Sequence, residues 1–259
     1  DILFVGTVGE EGLGDLRGVK HLLREDGPQI DTMIVVDGGE IGRIVYGGVG
    51  SHRYRVTFRG PGGHSWGAFG TASPHHALGR AIARFLQDAP NVTSSGEKTS
   101  FNVGRIGGGI SINAIAFESW MEIDMRSGDQ AKLDQIDAVL MRTIQEALVE
   151  ENAARLEGPE LTVDVKRVGT RPAARGDPEA LLVQNAAAAM RELGIEAELQ
   201  ISSTDANYPI SIDVPAITMS RGGNSENGPP PAESWQDKDS HLALQIGLLT
   251  LLAEAGYVR

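Results

Sequence analysis

The chain has 259 residues, with 23 Lys+Arg against 35 Asp+Glu, a formal net charge of −12 and no cysteine. The acidity argues against nucleic acid or a membrane surface as partner, because phosphate neutralisation needs clustered Lys and Arg. Lack of cysteine excludes disulfides, thiolate metal sites and a thiol nucleophile, so a metal would have to be held by His, Asp and Glu. No apolar run reaches the ~18 residues of a membrane-crossing helix, and the cysteine usage fits a cytoplasmic protein while leaving secretion open.

In chain order, residues 1–8 (DILFVGTV) read as a buried strand, and Glu10-Glu11-Gly12 turns the chain. Asp15 to Arg24 has Leu16, Val19, Leu22 and Leu23 at helical spacing, and Thr32 to Val36 is a short apolar run suited to a parallel strand. Strand, helix, strand makes a βαβ unit. The pattern changes near Gly47-Gly48. His52 to Arg59 alternates as a half-exposed strand, Pro74 to Gln87 reads as a helix, and strands over 100–106 and 114–125 flank a glycine loop. Gln130 to Glu151 is a long amphipathic helix and Leu161 to Val168 a strand. The order β-α-β-β-α-β is ferredoxin-like. An α/β pattern then resumes. Residues 178–193 read as a helix with Gly194 as its cap, 197–201 and 215–219 as strands, 221–232 as a loop, and 240–255 as a helix with Ser240 as N-cap. The expected fold is therefore an α/β domain over residues 1–47 and 170–259, interrupted by an α+β domain over 48–169.

Candidate chemistry sits where strands end, which is where open α/β sheets build their sites. Glu10-Glu11 follows the first expected strand. One carboxylate can ligate metal while its neighbour takes a proton from water; a solvated acidic turn is the plainer reading. Asp37, before Gly38-Gly39, can ligate metal or cap a turn. His241 opens the last helix and gains weight only if it converges with these carboxylates, a set that suits zinc. His64, in a tight Gly/Pro loop, can donate to a developing oxyanion. His75-His76 reads as structural, since neighbours point to different helix faces. Arg126 and Arg221 can each grip a carboxylate or lie free on the surface. The triple glycine at 107–109 lacks the ending of a phosphate loop.

Taken together, Thr7 to Gly12 (TVGEEG), Val36-Asp37-Gly38, Gly60 to Ser65 (GPGGHS), Ser111 to Ile115 (SINAI), Asp124-Met-Arg126, Gly169 to Ala173 (GTRPA) and Ser203 to Asn207 (STDAN) resemble the co-catalytic di-zinc peptidases and deacylases. That family includes peptidase T, glutamate carboxypeptidase, acetylornithine deacetylase and succinyl-diaminopimelate desuccinylase. The resemblance implies a zinc-dependent hydrolase of peptide or N-acyl amide bonds, with Glu10 as general base. It implies Glu11, Asp37 and His241 as metal ligands, His64 as oxyanion donor, and Asn113, Arg126 and Arg221 as substrate contacts. It further implies two zinc ions per complete subunit, a small peptide or N-acyl amino acid as substrate, and a homodimer formed through the inserted lid. The family also needs a His-x-Asp segment and a bridging Asp before its Glu-Glu motif. Neither is present, which fits a chain that begins partway through its catalytic domain, with an incomplete metal centre and no activity alone. The competing expectation is a dimerisation module, or an inactive fragment of such an enzyme.

Overall fold

The computed structural model describes residues 1–226 and 234–256. The chain divides into two compact units, one of residues 1–50 and 171–259, the other of residues 51–170. No helix among the described residues is long and apolar enough to cross a membrane.

The chain opens differently from expectation. Residues 1–10 form no strand, and Phe4 is 86% exposed. An apolar run becomes a strand only where a neighbour accepts its ladder. Here β1 (Met33–Asp37) pairs with a strand from the far end of the chain instead. The carbonyls of Val8 and Gly9 accept from Gly18 and Leu16 at 2.9 Å, which ties the segment to the start of α1 (Arg17–Leu22). That helix is shorter than expected because Asp15 and Leu16 both adopt left-handed φ values of 55° and 57°. The first strand of the anticipated βαβ unit is thus absent. A strand the pattern did not announce, β2 (Arg43–Gly48), follows β1 with Ile44 and Val45 buried.

The second unit contains β3 (Gly50–Arg59, of which Gly50 belongs to the first unit), β4 (Gly63–His64), α2 (Pro74–Asp88), α3 (Pro90–Thr93), β5 (Thr99–Gly108), β6 (Ala114–Ile115), β7 (Glu118–Ser127), α4 (Gln130–Ala154) and β8 (Thr162–Arg171, whose last residue returns to the first unit). Its main sheet has the order β5-β7-β3-β8, the second, third, first and fourth of its long strands, as the ferredoxin-like pattern requires. Alternation does the sorting. Tyr54, Val56 and Phe58 on β3, and Met121, Ile123 and Met125 on β7, share a core with Phe85 of α2 and Leu133, Ile136, Leu140 and Ile144 of α4. Arg53, Arg55, Glu122, Asp124 and Arg126 fall on the opposite face. Asp129 caps α4 by accepting from Ala131 N at 2.7 Å. The buried carboxylate of Glu151 joins α4 to the start of α2, accepting from Ser73 N at 2.9 Å and Arg80 Nε at 3.0 Å.

The first unit then resumes with α5 (Leu181–Glu192), β9 (Glu198–Ser202), α6 (Asn207–Ser211), β10 (Ala216–Ser220), β11 (Asn224–Glu226), β12 (Ser234–Gln236) and α7 (Ser240–Ala255). Its sheet runs β1-β10-β2-β9, with β1 parallel to β10, β10 antiparallel to β2 and β2 parallel to β9. Ile44, Leu182, Val183, Ala186, Met190, Ile217, Met219 and Ile246 form its core. Gly194 follows α5 at φ +72°, as a helix-ending glycine should. Two expectations change here. Asp239, not Ser240, occupies the cap position of α7, at φ 57°, while the Ser240 hydroxyl donates to Asp237. Residues 224–226 form β11 rather than loop, and the rest of the anticipated loop, 227–232, lies outside the described residues.

Candidate active site

In the first unit the carboxyl ends of β1, β9 and β10 bring polar groups together. Arg221 N donates to Asp37 O at 2.8 Å, and the Ser220 hydroxyl donates to Gly39 O at 2.6 Å, which fixes the turn after Asp37. Asp37 Oδ1 accepts from Gly38 N at 2.6 Å. Glu10 meets Arg171, a buried guanidinium only 4% exposed. Arg171 Nη1 donates to Glu10 Oε1 at 2.8 Å and to Ser203 Oγ at 3.0 Å, and Nη2 donates to the Glu10 backbone carbonyl. Nearby, the Thr7 hydroxyl donates to Asp205 Oδ2 at 2.6 Å, while the buried Asp205 Oδ1 has no hydrogen-bond partner.

The electrostatics follow from this crowding. Burial pushes the Glu10 carboxyl above its ordinary value, with repulsion from Glu11 and Asp37 adding to the rise and Arg171 opposing it. Asp205 is likewise raised, first by burial and then by Asp37, against Thr7 and Arg171. A half-buried carboxylate of raised proton affinity, held in one orientation, is suited to accept and return a proton.

The proposed metal ligands are less convergent. Glu11 is exposed ahead of the short turn Gly12–Gly14, and His241 is exposed in the first turn of α7. Among the described residues no three His, Asp or Glu side chains gather as a metal-holding group. Glu10 instead carries a guanidinium as its counter-charge. Two carboxylates and an imidazole, from Glu11, Asp37 and His241, are donors of the kind zinc takes, but among the described residues these three are not gathered into a centre by themselves.

In the second unit, His64 pairs across a two-stranded ladder with Ala114, and Ser65 N donates to Asn113 O at 2.9 Å, so the His64 and Asn113 segments lie side by side. His64 Nδ1 faces the backbone N–H groups of Trp66 at 3.3 Å and Gly67 at 3.4 Å. Accepting there leaves the proton on Nε2, free to donate. Asn113 Oδ1 accepts from the Ser111 hydroxyl at 2.6 Å. Arg126 Nε donates to Asp124 Oδ2 at 2.6 Å. Arg221, in the first unit, donates from Nη2 to Ser225 Oγ at 3.1 Å.

The sequence model of the Peptidase dimerisation domain family, M20_dimer, matches residues 46–152. The chain carries an M20 dimerisation domain. No curated protein matches the chain. Among solved structures, aminopeptidase PepT from Bacillus cereus is similar with a TM-score of 0.75 and 22% identity, over 96% of this chain and 63% of that one. A tripeptidase from Staphylococcus aureus gives a TM-score of 0.71 and 22% identity over 96% and 62%. An amidase of the hydantoinase/carbamoylase family from Burkholderia vietnamiensis gives 0.64 and 18% over 88% and 56%. These likenesses establish the fold: an α/β unit interrupted by the M20 dimerisation domain. The chain spans under two thirds of the length of each of these proteins.

Within the M20 dimerisation domain, Asp124 also accepts from Arg53 Nε at 2.8 Å. Burial would raise its carboxyl, but the hydrogen bonds and charges of Arg126 and Arg53 outweigh it and hold the value below the ordinary range. A depressed carboxyl contributes stability above the unfolded value of ~3.9, and loses it as pH falls through the folded value. Wild type and Asp124→Asn are therefore expected to differ by about 1 kcal/mol at neutral pH, after solvent screening, and to converge in acid. Urea unfolding across that range is the measurement, and parallel curves would count against the assignment.

Sequence reasoning missed Arg171, Ser203, Thr7 and Asp205 as parts of this site. GTRPA and STDAN were read only as resembling the family's return to its catalytic domain, with no role for their side chains. A charged residue closing an alternating strand, β8, was the available signal.

Proposed function

We propose that this protein hydrolyses peptide or N-acyl amide bonds as a homodimer joined through its M20 dimerisation domain. The observation that carries the reading is Glu10, a half-buried carboxylate of raised proton affinity at the strand ends of a fold shared with aminopeptidase PepT. In this reading Glu10 takes the proton of the attacking water and passes it to the leaving amine. His64 donates from Nε2 to the oxyanion. Asn113, Arg126 and Arg221 hold polar groups of a small peptide or N-acyl amino acid, Arg126 exchanging Asp124 for a substrate carboxylate. The reading includes zinc dependence, with Glu11, Asp37 and His241 as this chain's contributions to the ligand set.

A second reading, a dimerisation module without turnover, draws support from the separation of those three side chains. Two cations at short range repel unless a shared anion lies between them. On this second reading the protein binds less than two zinc equivalents tightly and releases no amine from short peptides. On the first, the protein, dimeric by sedimentation, is expected to release amine from short peptides or N-acyl amino acids until a chelator is added. Dimers silent on every substrate would leave the second reading standing. A monomer at high concentration would sink the dimer in both.

A further inference from the structure

We propose that Arg171 is a positioning residue for Glu10, a buried clasp that holds the proton acceptor's carboxylate and backbone in place from the strand that leaves the inserted domain. The clasp rests on the hydrolase reading only for what Glu10 does; the geometry stands by itself. Residues 1–10 belong to no helix or strand; backbone hydrogen bonds hold Val8, Gly9 and Glu11 on either side of Glu10, while the carboxylate and carbonyl of Glu10 are held by side chains. One guanidinium grips both the Glu10 carboxylate and the Glu10 carbonyl, and Thr7 is tied three residues earlier to Asp205. Gripping side chain and main chain together leaves little rotation about the intervening bonds, so the carboxylate is aimed rather than merely neutralised.

The anchor itself is fixed. Arg171 is the last residue of β8 and the first of the returning half of its unit. Directly after it, Gly48 and Ala174 exchange backbone hydrogen bonds, Gly48 N to Ala174 O at 2.6 Å and Ala174 N to Gly48 O at 3.0 Å. The buried amide of Asn207 donates from Nδ2 to Val49 O at 2.9 Å and to Pro172 O at 3.0 Å. Within the first unit, residues 48–49 and 172–174 are thus stitched together beside the clasp. Gly50 has to be glycine here, since a Cβ would lie 2.4 Å from Ala173 N. Arg171 also reaches Ser203 just past β9, so its head group is held from a second side. A residue that only filled space would need none of these directed donors.

Amide hydrogen exchange on the purified chain is the test, because it reads the clasp without substrate or metal. Arg171→Ala is expected to speed exchange of the Glu11 to Leu16 amides at least tenfold, leaving the β1 and β10 amides unchanged. Millimolar guanidinium is expected to restore protection in Arg171→Ala but not in Arg171→Ala combined with Glu10→Gln. Unchanged exchange over the turn, or rescue that ignores Glu10, overturns the proposal. Should Arg171→Ala fail to fold, Glu10→Ala alone, which removes the side-chain acceptor, must loosen the same amides, and normal protection there overturns it equally. In a preparation that hydrolyses peptides, Arg171→Lys is expected to lower kcat with KM held. Loss of all hydrolysis with an intact exchange pattern would count against the function and leave the clasp in place.

Discussion

Phe85→Ala is expected to cost ~3–5 kcal/mol, the usual range for deleting a fully buried aromatic ring. Phe85 is wholly buried on α2 and meets the Phe101 ring of β5 edge-on, with centroids 4.9 Å apart at 72°. Two losses combine: the apolar surface removed from water, and a cavity between α2 and β5 that the close-packed sheet cannot fill. Against a typical domain stability of ~5–15 kcal/mol, one such change removes a large fraction. Denaturant unfolding followed by circular dichroism measures it. Phe101→Ala, on the less buried partner, should cost less. A loss below about 1 kcal/mol for Phe85→Ala would mean that α2 does not seat its ring as described.

Glu10→Gln is expected to lower turnover ~100-fold or more in a preparation that hydrolyses substrate. Glutamine keeps the shape and can still accept from Arg171, but it cannot take a proton. Burial and the charges of Glu11 and Asp37 hold protons on Glu10 more tightly than on an ordinary glutamate, which is the direction a base working near neutrality needs. Dimerisation and the melting temperature serve as controls. Near-normal kcat would remove Glu10 from the chemistry. Loss of metal binding with Glu10→Gln would instead exchange the roles of Glu10 and Glu11.

The second unit was largely legible in the sequence because its instructions are local. Alternation from His52 to Arg59 set the faces of β3, and the apolar spacing of Ala77, Leu78, Ala81 and Phe85 marked the buried side of α2. On α4, Leu133, Ile136, Leu140 and Ile144 did the same over a longer span. The stretch expected as one strand over 114–125 is broken at Ala116-Phe117 into β6 and β7, a division that alternation alone does not reveal. The opening run Ile2 to Val5 misled for a different reason: hydrophobicity announces a wish for burial, not the presence of a partner. In the site, Asp37 could be placed from the apolar run before it, whereas Glu10 follows no strand. Arg171 could not, because a pairing across 161 residues leaves no period in the sequence.

The interruption of one unit by another sets an order of events during synthesis. Among the described residues the strand partner of β1 is β10, so Met33 waits for Ala216 and Asp37 for Ser220. At ~5–20 residues per second the wait is roughly ten to forty seconds. Residues 51–170 form a contiguous unit and can close their own core on the ribosome during that interval. Val35 and Val36 meanwhile hang in an unpaired segment, just as an aggregation-prone strand would. The early-born half of the Glu10 site is therefore the part of the chain that a nascent-chain chaperone has most reason to hold.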